Sequence, residues 1–177
     1  DALAGLPSTE QVKELMLLYQ LCIKLLGCGD PNRVLESALD LLRSRTKASV
    51  VGFLSVSDQG NLQPKLVIPR DAANRVTLNQ SLTELVSRQG HAVWVANQSS
   101  KEGTQDLGHF ADAVCAPLVR RADGERTTLG AIHVYLEAGR FRQSDFDFVV
   151  SVANIVAIAL VRARALTTVQ SDYQRLV

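Results

Sequence analysis

The chain has 177 residues, enough for one domain with a real core. Hydrophobic residues make up 46% and charged residues 21%, an ordinary balance for a globular protein. A net charge of +1 gives no bulk electrostatic case for nucleic acid or for a membrane surface, so neither is expected as a partner. Three cysteines, Cys22, Cys28 and Cys115, are an odd number without CxxC spacing. They argue against a disulfide framework and for a reducing, cytoplasmic location. No stretch of about 18 apolar residues is free of charge, so no membrane span is expected, and no secretion signal is expected either. The sequence opens on Asp1 rather than Met, as a piece of a longer protein would.

Residues 1–8 read as a lead-in. Ser8-Thr9-Glu10-Gln11 forms a capping box that opens a helix. That helix carries two apolar rows, Val12, Leu15, Tyr19, Cys22 and Leu26 on one and Leu18, Leu21 and Leu25 on the other. One row can face the domain and the other a partner. Gly27 and Gly29 end the helix, and Asp30-Pro31 caps the next, with Val34, Leu35, Ala38, Leu41 and Leu42 on its inner face. Residues 48–56 predict a strand, Asp58-Gln59-Gly60-Asn61 a turn, and residues 62–68 a second strand. Pro64 places that second strand at an edge. Residues 69–79 are polar and irregular. Ser81-Leu82-Thr83-Glu84 is a further capping box for a short helix ending at Gly90. A short strand over 91–96 carries Trp94, and residues 97–108 read as a loop.

Residues 113–119 and 127–136 are two apolar runs around Asp123-Gly124, a hairpin whose loop is expected to exceed two residues. Ser144 can cap a long, mostly apolar helix with Asp145 and Asp147 in its first turn. The pattern weakens after Ala165. This divides the chain into the lead-in, a domain over 9–166, and a helical extension over 167–177. Strands joined by short turns imply an antiparallel sheet with helices packed on it, an α+β fold.

The segments Ala113–Val119, Leu129–Tyr135, Phe141 with Asp145, and the helix Val149–Ala165 resemble the second half of a GAF domain, and the likeness extends over about Leu18–Leu166. The resemblance implies a GAF/PAS-like antiparallel central sheet of about five to six strands, with the N- and C-terminal helices packed on one face. It also implies a ligand pocket on the other face, under the short helix. Cyclic-nucleotide-binding members carry Asn-Lys, then Phe, three residues, and Asp-Glu. Phe141 and Asp145 match, but Phe146 replaces the Glu and Gln98 follows Asn97. Bilin-binding members are expected to show Cys-His, whereas Ala116 and Pro117 follow Cys115. No cofactor is therefore expected, neither cyclic nucleotide nor bilin.

No phosphate loop, HExxH or GxSxG is present, and no catalytic constellation, so no enzyme is expected. Asp145 and Asp147 lie two apart and cannot make an acid/base pair on a helix. His109 and Cys115 lack a second ligand pair, so no metal site is expected. The last strand alternates, with Leu129, Ala131, His133 and Tyr135 on one face and Gly130, Ile132, Val134 and Leu136 on the other. Two readings of His133 and Tyr135 stand, hydrogen-bonded core residues or ligand contacts. Cys115 reads as a small buried hydrophobe. The candidate pocket residues are His91, Trp94, His109, Cys115, His133 and Tyr135.

A seven-residue repeat runs through Val149, Ala153, Val156, Leu160 and Ala163, widened by Ile155, Ile158 and Ala159. With Leu15, Tyr19 and Cys22 of the first helix it predicts a homodimer interface. The expected function is a small-molecule sensor and dimerisation module of a bacterial-type signalling or transcription-regulatory protein, covalently linked to an output domain. One alternative is a ligand-free dimerising spacer whose pocket is filled by Trp94, His133 and Tyr135. Another is a sensor holding haem or an iron centre through His91, His109 or His133.

Overall fold

The computed structural model describes residues 8–96 and 107–176. Most of the lead-in, the bulk of the expected 97–108 loop with Asn97 and Gln98, and Val177 lie outside the described residues. The first helix, α1 (Thr9–Leu26), opens with the expected reciprocal box: Gln11 N–H donates to the Ser8 hydroxyl, and Ser8 N–H donates to the Gln11 side chain. Asp30 caps α2 (Pro31–Thr46) through Asn32 N–H.

Five strands follow: β1 (Val50–Val56), β2 (Leu62–Ile68), β3 (Val93–Ala96), β4 (Asp112–Ala122) and β5 (Glu125–Leu136). They form one antiparallel sheet in the order β2-β1-β5-β4-β3. Pro64 lies on the edge strand β2, opposite Leu54 of β1 beside an irregularity in the ladder, as expected of a residue without an N–H. A short 3-10 helix (Arg70–Asn74) interrupts the segment read as irregular.

Three local expectations change. The β4–β5 loop is only two residues long, because Ala122 pairs with Glu125, and Asp123 and Gly124 both adopt positive φ (53° and 78°). This is the primed turn whose twist matches the strands. The short helix α3 (Gln80–Gln89) starts ahead of Ser81. Its cap is Asn79, whose side-chain oxygen accepts from Leu82 N–H at 2.9 Å. The last helix, α4 (Gln143–Leu176), starts before Ser144, and the Asp145 carboxylate takes the Arg142 N–H at 2.8 Å.

The sheet separates two cores. On one face α1, α2 and α4 pack against Val51, Phe53, Val114, Ala116, Leu118, Ile132 and Val134. On the other, α3 packs against Val50, Leu54, Ala113, Cys115, Ala131 and Tyr135. Leu129 joins the helix-covered face instead of its predicted side, because the β4–β5 register slips between Leu118 and Val119. An ionic hub ties the three helices at one end. Arg45 of α2 pairs with Glu14 of α1 and lies 3.8 Å from Asp145 of α4, with its guanidinium over the Phe148 ring. Asp145 is thus more than a first-turn charge.

The row predicted as a dimer seam on α4 is a core row. Val149, Ala153, Val156, Leu160 and Ala163 are all buried in the helix-covered core and cannot face a second chain. The helix has apolar residues on two sides, and the more continuous stripe is the one that must cover β4 and β5. On length and composition alone α4 could cross a membrane, contrary to the expectation from uninterrupted runs. Eight apolar residues buried inside the domain, from Phe148 to Ala163, account for much of that apolarity.

Candidate functional site

The cavity on the α3 face follows from how α3 is held. At its C-terminal end, Arg126 of β5 donates to the carbonyls of Gln89 (3.1 Å) and Arg88 (3.0 Å), a cation placed at the negative end of the helix. At its N-terminal end, a closed ring of hydrogen bonds joins Asn79 and Thr83 to the middle of β5. Asn79 N–H donates to the Tyr135 hydroxyl at 2.9 Å, and that hydroxyl lies 2.8 Å from His133 Nδ1. His133 Nε2 lies 2.7 Å from the Thr83 hydroxyl, which donates back to the Asn79 carbonyl at 3.3 Å.

This order assigns the tautomer. Tyr135 accepts from Asn79 and donates to Nδ1, so the imidazole carries its hydrogen on Nε2 and donates it to Thr83. The opposite tautomer would strand the phenolic hydrogen in the interior, which costs about 1–3 kcal/mol. His133 is 0% exposed, and burial pushes its pKa down to about 3, so it is neutral. Burial also pushes the Tyr135 phenol up, against the lowering effect of the Asn79 N–H. Cys115 Sγ sits 3.6 Å from Nε2, and burial pushes the thiol up.

Outside this ring the face stays open. A cavity of about 460 Å³ lies between residues 75–80 and residues 107–110, with Tyr135 at its base. Leu78, Leu107 and Phe110 supply apolar walls, Arg75 and His109 the polar rim. Arg75 is paired with Asp71 at 2.7 Å, and His109 lies 3.6 Å from Glu137. The volume is within the range of about 300–1,000 Å³ typical of small-molecule sites.

The structure brings together four of the six predicted pocket residues. Tyr135 and His109 line the cavity, while His133 and Cys115 lie behind Tyr135. Trp94 and His91 are elsewhere. Trp94 pairs with Val114 on the helix-covered side, stacks on Phe146 at 6.0 Å, and donates its indole N–H to the buried Asp112 carboxylate (2.9 and 3.0 Å). His91 is exposed in the turn before β3. The strand is four residues long, too short for its alternation to be read from sequence. The three histidines do not converge, and both His133 nitrogens are engaged, so the ring leaves no nitrogen open to an iron. Among the described residues, no group of three or more His, Cys, Asp or Glu side chains is placed to hold a metal. Asn79, Thr83 and Asp112 were not singled out from sequence. Asp112 accepts the Phe141 N–H at 2.7 Å as well as the Trp94 indole.

A five-stranded antiparallel sheet with three helices on one face, and a short helix and a cavity on the other, defines an α+β fold. The chain belongs to the GAF domain family, whose model matches residues 28–161. Solved structures with the same fold include the GAF domain of a phosphoenolpyruvate-protein phosphotransferase from Acinetobacter, 15% identical over 90% of this chain and 97% of that one, TM-score 0.69. The GAF domain of a protein assigned as a sensor histidine kinase from Pseudomonas syringae pv. tomato is 15% identical over 92% and 95%, TM-score 0.66. A free methionine-R-sulfoxide reductase from Neisseria meningitidis, solved with its substrate, is 16% identical over 90% and 95%, TM-score 0.64. No curated protein sequence matches the chain.

Proposed function

We propose that this GAF domain is a regulatory module that takes a small molecule in the 460 Å³ cavity and pairs with a second copy through its terminal helices. The observation that carries the reading is the ring. Two residues of the cavity wall, Asn79 and Tyr135, are hydrogen-bonded to one another and, through His133 and Thr83, to the centre of the sheet. A ligand that competes for the Tyr135 hydroxyl or displaces Asn79 must change the attachment of α3. It shifts the domain only to the extent that it prefers one arrangement.

The outer faces of the terminal helices support the pairing. Among the described residues, eleven of the twelve exposed large hydrophobics lie on α1 and α4. At roughly 100 Å² each they total about 1,100 Å², more than the ~800 Å² that each partner buries in a standard interface. On α1, Val12, Met16, Tyr19, Ile23 and Leu26 recur at steps of four and three; on α4, Leu166, Val169, Tyr173 and Leu176 recur at three and four. That is coiled-coil spacing. All residues of α4 from Arg164 onward are exposed, so this stripe runs off the domain, towards an output domain in this reading.

A binding role rather than catalysis fits the thiols. Sulfoxide reduction, the activity in the name of the Neisseria relative, calls for a two-electron donor, and accessible low-pKa thiolates are the protein's usual one. Here Cys115 is buried with a raised pKa, and Cys22 and Cys28 lie on α1 and the α1–α2 turn, across the sheet from the cavity.

The rival reading is a ligand-free dimerising spacer. It draws support from His133 and Tyr135, which fill the inner part of the α3 face and satisfy one another. Native mass spectrometry of the purified chain separates the two. A dimer carrying extra small-molecule mass is expected, and a bare dimer would favour the spacer.

A further inference from the structure

A second cavity lies at the other side of the sheet edge, and the strand ladder explains why it exists. β3 begins at Val93, opposite Cys115, so β4 from Ala116 to Arg121 has no strand beside it on that side. α4 covers one flank of this bare edge through Val150, Ala153 and Asn154. The turn Gly90–Ala92 crosses the other flank, made possible by Gly90 at φ +72°. The space enclosed is about 240 Å³.

Its floor is apolar, with Val119, Val150 and the buried Ala153. Its polar side chains are His91, Arg121 and Asn154, from the turn, the strand and the helix. Among the described residues none of these three has a hydrogen bond or ion pair, and no Asp or Glu lines the cavity. Arg45, Arg70, Arg75 and Arg142, by contrast, each pair with a carboxylate. Arg126 abuts Gly90 and adds a further cation, its guanidinium held by main-chain carbonyls rather than by an acid. The corner therefore carries positive charge with no countercharge.

We propose that this cavity binds a small oxyanion, a carboxylate or phosphate, gripped by the Arg121 guanidinium and the Asn154 amide with the His91 ring beside them. A guanidinium offers a planar fork of donors matched to two oxygens. The bare β4 edge adds main-chain donors, Pro117 excepted. Size sets the class: 240 Å³ falls below the ~300 Å³ at which drug-sized ligands begin to fit, so a free phosphate or a short-chain carboxylate fits and a nucleotide does not. The bound anion would bridge β4 to α4, the helix that runs off the domain. The site shares no lining residue with the cavity under α3, so its fate is independent of the sensor reading.

The test is an amide chemical-shift titration of the labelled chain with sodium phosphate and, separately, sodium acetate, ionic strength being held with sodium chloride. Saturable shifts at Gly90, His91, Val119, Arg121 and Asn154 are expected, weakened at least tenfold in Arg121→Ala. Saturation by phosphate alone, by acetate alone, or by both supports the site and selects the class. Linear shifts, or shifts equal to those at the exposed Lys65 and Arg70, mean an adventitious ion only. Saturable shifts that survive Arg121→Ala put the anion elsewhere and overturn the assignment. Arg121 is exposed near the hairpin tip, so its loss leaves the fold intact to report either result.

Discussion

β5 serves two different interiors. Towards the three helices it sends Ile132 and Val134 into a cluster with Leu39, Val152, Val156 and Leu160. Buried polar groups on that side stand at its margins, such as Thr46 bonded to the Leu42 carbonyl and Asp145 at the start of α4. Towards α3 the same strand sends Ala131, His133 and Tyr135, and the polar groups occupy the centre. The first face is held mainly by close packing, with its carboxylates Asp112 and Asp145 at the margins. The second is held by a ring in which each group depends on the next, so it is the face that a proton or a ligand can disturb.

The largest effect that breaks this contrast is expected on the apolar face. Leu160→Ala removes a fully buried side chain of the helix-covered core. It should cost about 2–5 kcal/mol in urea unfolding, with no pH dependence of its own. A loss near zero would mean that α4 is not seated as described.

The polar face is expected to answer to pH instead. The ordinary histidine value is 6.5, and burial lowers His133 to about 3. Between these values the unfolded chain binds a proton that the folded chain refuses. Stability is therefore fully present above pH 6.5 and falls as pH falls towards 3, by about 2 kcal/mol between pH 6.5 and 5 from this residue. Unfolding measured across that window should show the slope, and His133→Gln should flatten it. An unchanged slope in the variant would place the titration elsewhere. Leu160→Ala should shift the curve without altering its shape.

This contrast was half legible in the sequence. Period two along residues 129–136 put His133 and Tyr135 together on one face, and only the register slip moved Leu129. Their partners were not legible. Thr83 lies 50 residues from His133, and Asn79 lies 56 from Tyr135, so no local spacing joins them. Thr83 fell inside a capping-box pattern that Asn79 pre-empts. On α4 both stripes are apolar, and spacing alone does not say which one is buried; the row through Leu160 is. Asp123-Gly124 marked the hairpin, but the two-residue turn required knowing that both residues take positive φ.

A smaller change probes one link of the ring. Tyr135→Phe keeps the ring's packing and removes the hydroxyl that accepts from Asn79 and meets His133. A cost of about 1 kcal/mol is expected. Amide exchange should rise at Leu82 and Thr83, at the start of α3, and stay unchanged at Val152 and Val156 across the sheet. Equal change on both faces would mean that the ring does not hold α3 separately.

The smallest expected effect on stability sharpens the contrast within α4 itself. Ile158 is 74% exposed, two residues from the buried Leu160 and on the opposite side of the same helix. Ile158→Glu removes no core contact, so it should change unfolding free energy by no more than about 0.5 kcal/mol. Its consequence should appear in mass. If Ile158 meets a second copy, a carboxylate there is desolvated without a partner, and light scattering should report a folded monomer. Tyr19→Glu on the outer row of α1 should do the same, because both residues lie on the exposed apolar surface of the terminal helices. A dimer that persists in both variants would remove this surface from the interface. A wild-type chain that is already monomeric would leave the apolar stripe from Leu166 to Leu176 for the segment or domain that follows it.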